Sequence, residues 1–439
     1  MAEEKQWTKA QLDAITSRHE SLLISAAAGS GKTATLTERV IRRILDDEDP
    51  VDVTDFLIVT FTKAAAGELS ARIAGALQSQ IAQHPENKRL QRQLAALPLA
   101  KICTISSFCL EIVQANTQAL SIPSTFHILD DAEHKLLQQR IMERLLDDLF
   151  NGTEEFTLQG WSFSAFADLF GSIRNPKKLG SELLRIFRSV QNLPQRHAVL
   201  QEESCALALV TAGTFLSTGF GTYLCDVCTE ELIVYIDLYR ELCDALAAEA
   251  AYQKAYLPTA LDELQRMKAV LAALQKKDYA SLLDALAMPI CRLGRVAAGK
   301  ALPVGDTFKM IREKQSALIK RMRDRYFAPS CEQLQQQILI TSQVLAGLHA
   351  VLALFEERLL REKYQRQTYG FSDIEQFALQ ALYDAASQKP TLYAGTLAKQ
   401  FREIYIDEYQ DVSPLQEKIF LSFASEDNRF MVGDVKQSI

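Results

Sequence analysis

Residues 25–36 read SAAAGSGKTATL, and their reading decides the fold. The apolar run SLLIS (21–25) leads in, and an amphipathic stretch beginning near Lys32 follows. Within the stretch, Ala26 to Thr33 has the form A-x-x-x-x-G-K-T. A short strand, then small residues, then a helix start is the context a phosphate-binding loop needs. Small residues let successive backbone N–H groups turn towards phosphate oxygens, and the helix N-terminus adds favourable partial charge. The candidate phosphate cradle is therefore Ala26, Ala27, Ala28, Gly29, Ser30 and Gly31. Lys32 is expected to reach the β- and γ-phosphates, and the Thr33 hydroxyl to hold Mg²⁺. The bland alternative is a glycine-containing turn before a helix.

Working outward, the same strand-then-helix unit recurs. FLIVTFT (56–62) is followed by KAAAGELSARIAGAL, and AKICTISSFCLEIVQAN (100–116) repeats the pattern. Short apolar strands joined to amphipathic helices predict a parallel sheet in an α/β domain. Residues 119–365 read almost entirely as helix, with no clear strand. The strand pattern returns at FREIYIDEYQD (401–411) and RFMVGD (429–434). The expected organisation is one α/β domain in two segments, 1–118 and 366–439, interrupted by a large all-helical insertion, 119–365.

The second stretch supplies what the first lacks. Ile404, Tyr405 and Ile406 form a strand that delivers Asp407 and Glu408 at its end. A Mg²⁺ ion bridging two phosphates needs a carboxylate opposite the loop, which Asp407 provides. Glu408 beside it is placed to orient or deprotonate the attacking water. Alone, an acidic loop after a strand means little, but here the loop motif precedes it.

Composition narrows the rest. The chain has 439 residues, 48% of them hydrophobic, and a net charge of −7. Such a chain has enough apolar content for two or three cored domains, and any nucleic-acid site must be a local basic surface. MAEEKQWTKAQ at the start has no secretory character, and CALALVTAGTFL (205–216) is too short to span a bilayer, so no membrane partner is expected. The scattered cysteines read as reduced thiols. Cys225 and Cys228 form a lone CxxC, weak as a metal or redox signal and equally consistent with two thiols on a helix.

Taken together these strings resemble the superfamily 1 DNA helicases. WTKAQLDAI (7–15) resembles their adenine-reading motif, VTFTKAAAGEL (59–69) their motif Ia, DEYQD (407–411) their motif II and VGDVKQSI (432–439) their motif III. TISSFCLEIV, TFHILDDAEHKLL, FGSIRNPKKLGSELLRIFRSVQNLP, GFSDIEQFAL and NRFMVGDVKQSI are similar to one branch, the AddA-type helicase/nuclease proteins of bacterial double-strand-break repair. The fold implied is a RecA-like P-loop NTPase domain with a 1B-like helical insertion. One departure is Ser106, where that branch commonly has histidine, which puts a DNA or coupling contact there in doubt.

The resemblance implies ATP and Mg²⁺ as cofactors, with Gln11 reading adenine and Gly29, Ser30, Gly31, Lys32 and Thr33 holding phosphates and metal. It implies Gln410 and Gln437 as γ-phosphate sensors that pass the nucleotide state to DNA. An amide suits that task because it both donates and accepts. The implied partners are single-stranded and duplex DNA and a second protein of AddB type, in a bacterial cytoplasm. The chain stops inside the motif III string, so it is expected to bind nucleotide weakly and not to unwind DNA by itself. A stand-alone UvrD/PcrA-type repair helicase, and a nucleotide-gated DNA-binding scaffold with little turnover, remain as alternatives.

A single-strand path beside the sheet calls for aromatic and small polar groups. The candidates are Phe61, Thr62, Thr104, Ser107 and Phe108, with a core role the competing reading for Phe108. A basic run, KMIREKQSALIKRMRDR (309–325), places Lys309, Arg312, Lys320 and Arg323 on one helical stripe, widened by Lys314, Arg321 and Arg325. It could carry duplex phosphates, as could RNPKK (174–178), although such runs are more often solvated faces.

Overall fold

The computed structural model describes the chain except residues 1–6, 27–30, 157–159, 172–175, 195, 297–302 and 435–439, and the side chains of 197 and 198. At its centre is a parallel sheet whose strands are β1 (Leu22–Ser25), β2 (Phe56–Thr60), β3 (Lys101–Thr104), β4 (Glu403–Ile406) and β5 (Arg429–Gly433). The order across the sheet is β1-β5-β4-β2-β3. Strands distant in sequence are thus spatial neighbours: β4 lies between β2 and β5, with Val59 opposite Ile406 and Ile406 opposite Met431. The expected parallel α/β architecture is present.

The sheet is buried on both faces, which is why its strands read as continuous apolar runs. The two-residue pleat sorts them. Phe56, Ile58, Tyr405, Phe430 and Val432 pack on one side with helices α1 (Lys9–Thr16), α2 (Lys32–Leu45) and α3 (Lys63–Gln83). Leu57, Val59, Ile404, Ile406 and Met431 face the other side, towards α4 (Ile105–Ala115) and the helices Phe371–Leu382, Leu392–Gln400 and Pro414–Leu421.

Phe108 on α4 belongs to this second core. It is 2% exposed and its ring meets those of Phe401, Phe420 and Phe423 at centroid distances of 5.8–6.4 Å. A ring enclosed by three others presents no face to a nucleobase, so the expectation of DNA contact at Phe108 is corrected.

By compactness the chain divides into two units, Met1–Ala198 with Ala350–Ile439, and Val199–His349. The boundaries expected at 118/119 and 365/366 fall inside the first unit. Periodicity marks where strands stop, whereas contacts group the helices Asp131–Asn151, Phe163–Phe170 and Pro176–Val190 with the sheet-bearing unit. That stretch also holds a short strand that periodicity does not reveal: His127–Ile128 pairs in parallel with Thr368–Tyr369.

The second unit has its own helical core, which includes Leu232, Ile236, Tyr239, Met267 and Phe308. Cys225 and Cys228 are buried in it on the helix Gly219–Ala248. Burial raises both thiols, Cys228 to about 12, so they are protonated. The 36-residue helix Cys331–Arg366 is long and apolar enough to cross a membrane by length and composition. It exceeds residues 205–216, the stretch that reads as most apolar in the bare sequence. Leu334 and Ile338 on this helix join the core of the second unit, and Leu352 and Phe355 are buried in the first.

Candidate nucleotide site

The site lies at the C-terminal edge of the sheet, where β1, β2 and β4 all deliver polar residues. From β1 the chain continues to Ala26, whose N–H donates to Gly433 O at 3.1 Å. Residues Ala27, Ala28, Gly29 and Ser30 lie outside the described residues. Gly31 then caps α2 with φ +84° and ψ 22°, a left-handed conformation that a Cβ would disfavour. Its carbonyl accepts from Thr35 N–H at 2.8 Å, so α2 starts at Lys32 as expected.

Gln11 reaches this turn from α1. Its Oε1 accepts from Thr8 N–H at 2.9 Å, and Thr8 Oγ1 accepts from Gln11 N–H at 3.3 Å, a reciprocal N-terminal cap. With the oxygen engaged, Nε2 is turned towards the loop, 3.5 Å from where a Cβ on Gly31 would sit. The cap that orients the amide is an addition to the expected role of Gln11; Thr8, three residues before it, is the signal in the sequence.

Asp407 follows β4 directly. Its N–H donates to Val59 O at 3.0 Å, so the last ladder bond of the sheet fixes its position. The residue is 6% exposed. Burial, then the charge of Glu408, raises the Asp407 carboxyl above the ordinary aspartate range, partly offset by the Glu408 N–H and by Lys32. A cation beside it would reverse that shift, which is the electrostatic demand of a metal ligand.

Glu408 takes φ +54° and ψ 45°, a left-handed conformation uncommon outside glycine. It breaks the strand direction immediately after Asp407. Glu408 Oε2 accepts from Gln410 Nε2 at 2.7 Å and lies 4.0 Å from Lys32 Nζ. The Lys32 side chain is 11% exposed. Lysine and carboxylates thus converge on one point without a close ion pair consuming the lysine.

Gln410 has a second bond. Its Oε1 accepts from Asp434 N–H at 2.8 Å. One amide therefore joins Glu408 to the residue that follows β5. A Cβ on Gly433 would come within 3.0 Å of Gln410 Oε1, so the small residue makes room for the link. Gln437 lies outside the described residues.

Thr33, Asp407, Glu408 and Gln410 line a cleft of about 400 Å³ with Thr60, Phe61, Thr62, Glu68 and Arg72. Thr33 and Asp407 supply hard oxygen donors to the cleft lining, a donor type that fits Mg²⁺. Arg72, paired with Glu68 at 2.5 Å on α3, is a cleft residue that sequence reasoning does not single out. Its i,i+4 spacing after Glu68, in the helix that follows the VTFT string, is the available signal.

The candidate DNA residues separate into groups. Phe61 is 61% exposed at the end of β2, a large ring open at the mouth of the cleft. Thr62 Oγ1 is committed to the α3 cap, accepting from Ala65 N–H at 3.1 Å. Thr104 caps α4 in the same way, accepting from Ser107 N–H at 3.2 Å, and its hydroxyl also meets Ser107 Oγ at 2.8 Å.

In the second unit the basic run is largely paired. Arg312 Nε donates at 2.8 Å to Glu263, which is fully buried and also accepts from Tyr239 OH. Arg312 therefore balances a buried carboxylate through Nε while its side chain stays 32% exposed. Lys309 pairs with Asp306, Arg321 with Glu231 and Arg323 with Asp324. Lys314, Lys320 and Arg325 are the exposed cations of the run that, among the described residues, have no carboxylate at ion-pair distance. Lys177 and Lys178 of the RNPKK string are exposed, on the helix Pro176–Val190, while Arg174 and Asn175 lie outside the described residues.

Comparison with known proteins identifies relatives of the chain. The chain is 34% identical over 438 residues to an ATP-dependent helicase/nuclease subunit of Thermoanaerobacter sp. (strain X514), covering 99% of this chain and 35% of that protein. It is 31% identical over 450 residues to the protein of the same name from Ruminiclostridium cellulolyticum, covering 99% of this chain and 35% of the relative. The Moorella thermoacetica protein of that name is 31% identical over 449 residues, 99% of this chain and 31% of the relative. The chain thus spans about a third of the length of the curated relatives it matches. Residues 7–439 match the family description "UvrD/REP helicase N-terminal domain". With the loop, the acidic strand end and the parallel sheet in one order, the chain belongs to the UvrD/REP helicase family, as its N-terminal domain.

Proposed function

We propose that this chain is the ATP-binding motor portion of a DNA helicase that works within a helicase/nuclease on double-strand breaks, in the cytoplasm with a second protein subunit. The observation that carries the reading is the convergence of Lys32, Asp407 and Glu408 at one edge of the sheet, with the Gln410 amide joining Glu408 to Asp434. Lys32 would neutralise phosphate charge, Thr33 and Asp407 would hold Mg²⁺, and Glu408 would take the proton of the attacking water. When MgATP is bound it supplies the electrophilic phosphorus; the residues of this chain orient the water that attacks it.

Single-stranded DNA would pass over the same edge, with Phe61 as a stacking platform and Thr62, Thr104 and Ser107 near the backbone. Lys309, Arg312, Lys320 and Arg323 are the duplex-phosphate candidates in a 1B-like helical domain. The link through Gln410, and through Gln437 beyond it, would carry the nucleotide state towards the strand. The chain itself, spanning about a third of its relatives, should bind nucleotide weakly and leave duplex DNA wound.

The test is Glu408→Gln in a protein that carries this chain at the full length of those relatives. Turnover stimulated by single-stranded DNA should fall by about 10²–10⁴-fold, the usual contribution of a general base, with nucleotide affinity within a few-fold of wild type. Undiminished turnover would remove Glu408 from the chemistry. Wild-type protein that binds DNA but gains no turnover from it would favour the scaffold reading.

A further inference from the structure

A buried charged cluster lies apart from the nucleotide cleft, in the first unit. Lys363 Nζ donates to Asp373 Oδ2 at 2.6 Å and to His134 Nε2 at 2.9 Å, with the lysine side chain 1% exposed. The three residues come from three helices, Asp131–Asn151, Cys331–Arg366 and Phe371–Leu382. Asp373 Oδ2 also accepts from Gly370 N–H at 2.7 Å. A Cβ on Gly370 would sit 2.5 Å from His134 Nδ1, so glycine lets the ring approach the backbone.

The cluster adjoins the paired crossing of the chain. His127 N–H donates to Gln367 O at 2.8 Å, and Leu129 N–H to Tyr369 O at 2.9 Å. The chain leaves the sheet-bearing core through one of these strands and returns through the other. Helix Phe371–Leu382 then packs on α4 and on Pro414–Leu421, where Gln416 Nε2 donates to Glu375 at 2.7 Å. The cluster is thus tied, helix to helix, to the segment that follows Asp407 and Glu408.

An ammonium 2.9 Å from an imidazole nitrogen requires that nitrogen to be a bare acceptor. We propose that His134, Lys363 and Asp373 form a latch that closes the crossing of 127–129 with 367–370 while His134 is neutral and is released when His134 gains a proton. Protonation removes the acceptor and sets two cations side by side.

The surrounding groups do not rescue the charged ring. Arg188, on Pro176–Val190, faces it as a further cation, while Asp131 on its own helix and Asp373 favour the charged form. Arg196 adds positive charge near Lys363 and is itself paired with Glu356. Gln138 is neutral, with Nε2 3.4 Å from His134 Nε2. Burial first, then Lys363, holds the imidazole below its ordinary value of 6.5. The fold therefore disfavours the proton: the latch contribution is fully present above about pH 6.5 and is lost as pH falls below it towards the depressed value.

The test is hydrogen exchange of the 439-residue chain at pH 7.5, 6.5 and 5.5, corrected for the intrinsic pH dependence of exchange. In wild type, His127, Leu129 and Gly370 amides should lose up to roughly tenfold in protection by pH 5.5, the limit set by one pH unit below the ordinary histidine value. His134→Gln, which keeps an acceptor but cannot charge, should hold its protection within about twofold across the range. Equal loss in both proteins, or no loss in wild type, overturns the latch. If the variant does not fold, the wild-type His134 ring signal decides: titration below the ordinary range with opening of the crossing supports it, and titration at or above that range overturns it. Either outcome leaves the nucleotide reading untouched, because none of these residues lines that cleft.

Discussion

Lys32→Ala should lower the affinity of the chain for MgATP by between about 30-fold and several thousand-fold. The range follows from removing one member of an enclosed, hydrogen-bonded charge pair, about 2–5 kcal/mol, at tenfold per 1.4 kcal/mol. Without nucleotide the same change should hardly alter stability. Lys32 meets Glu408 at 4.0 Å, and that carboxylate is 44% exposed, so the pair contributes little to the fold. Titration of a fluorescent ATP analogue, paired with a urea melt, separates the two. Retained affinity with an unchanged melt would contradict the phosphate assignment. In a full-length relative the same substitution should abolish unwinding and leave DNA binding largely intact.

Phe108→Ala should have the opposite signature. Deleting a ring that is 2% exposed among Phe401, Phe420 and Phe423 should cost about 3–5 kcal/mol of stability. The affinity of the folded fraction for single-stranded DNA should not change, because the ring is enclosed in the core. A urea melt and a DNA titration below the transition test both halves. A variant of native stability with weakened DNA binding would return Phe108 to the strand path.

The two residues illustrate what a linear sequence displays. The loop of Gly31, Lys32 and Thr33 and the pair Asp407–Glu408 are legible because their chemistry is local: each is a strand end followed by a fixed pattern. The sheet is legible for the same reason, as strands buried on both faces announce themselves as unbroken apolar runs. Phe108 is ambiguous because a helix start near the site points some residues at the cleft and others at the core. Only the packing of the distant Phe401 and Phe420 decides which.

Other features depend on contacts that no local pattern encodes. The stripe at 309–323 reads as free positive charge until the fold sets Glu263 and Glu231 against Arg312 and Arg321. The pairing of His127–Ile128 with Thr368–Tyr369 involves two residues on each side, too few for a period. The Gln410 bridge to Asp434 is a bond between two loops brought together by the order β4-β5. The capping of Gln11 by Thr8 is local, and the Thr-x-x-Gln spacing before a helix announces it.

The most direct measurement is hydrogen exchange of the chain with and without saturating Mg²⁺ and a slowly hydrolysed ATP analogue. The expected result is new protection in peptides covering residues 31–37 and 404–411, with the helices of residues 199–349 unchanged. Bound nucleotide, established independently by titration, with no protection at 31–37 and 404–411 would contradict the proposed placement of an ATP site at this edge of the sheet.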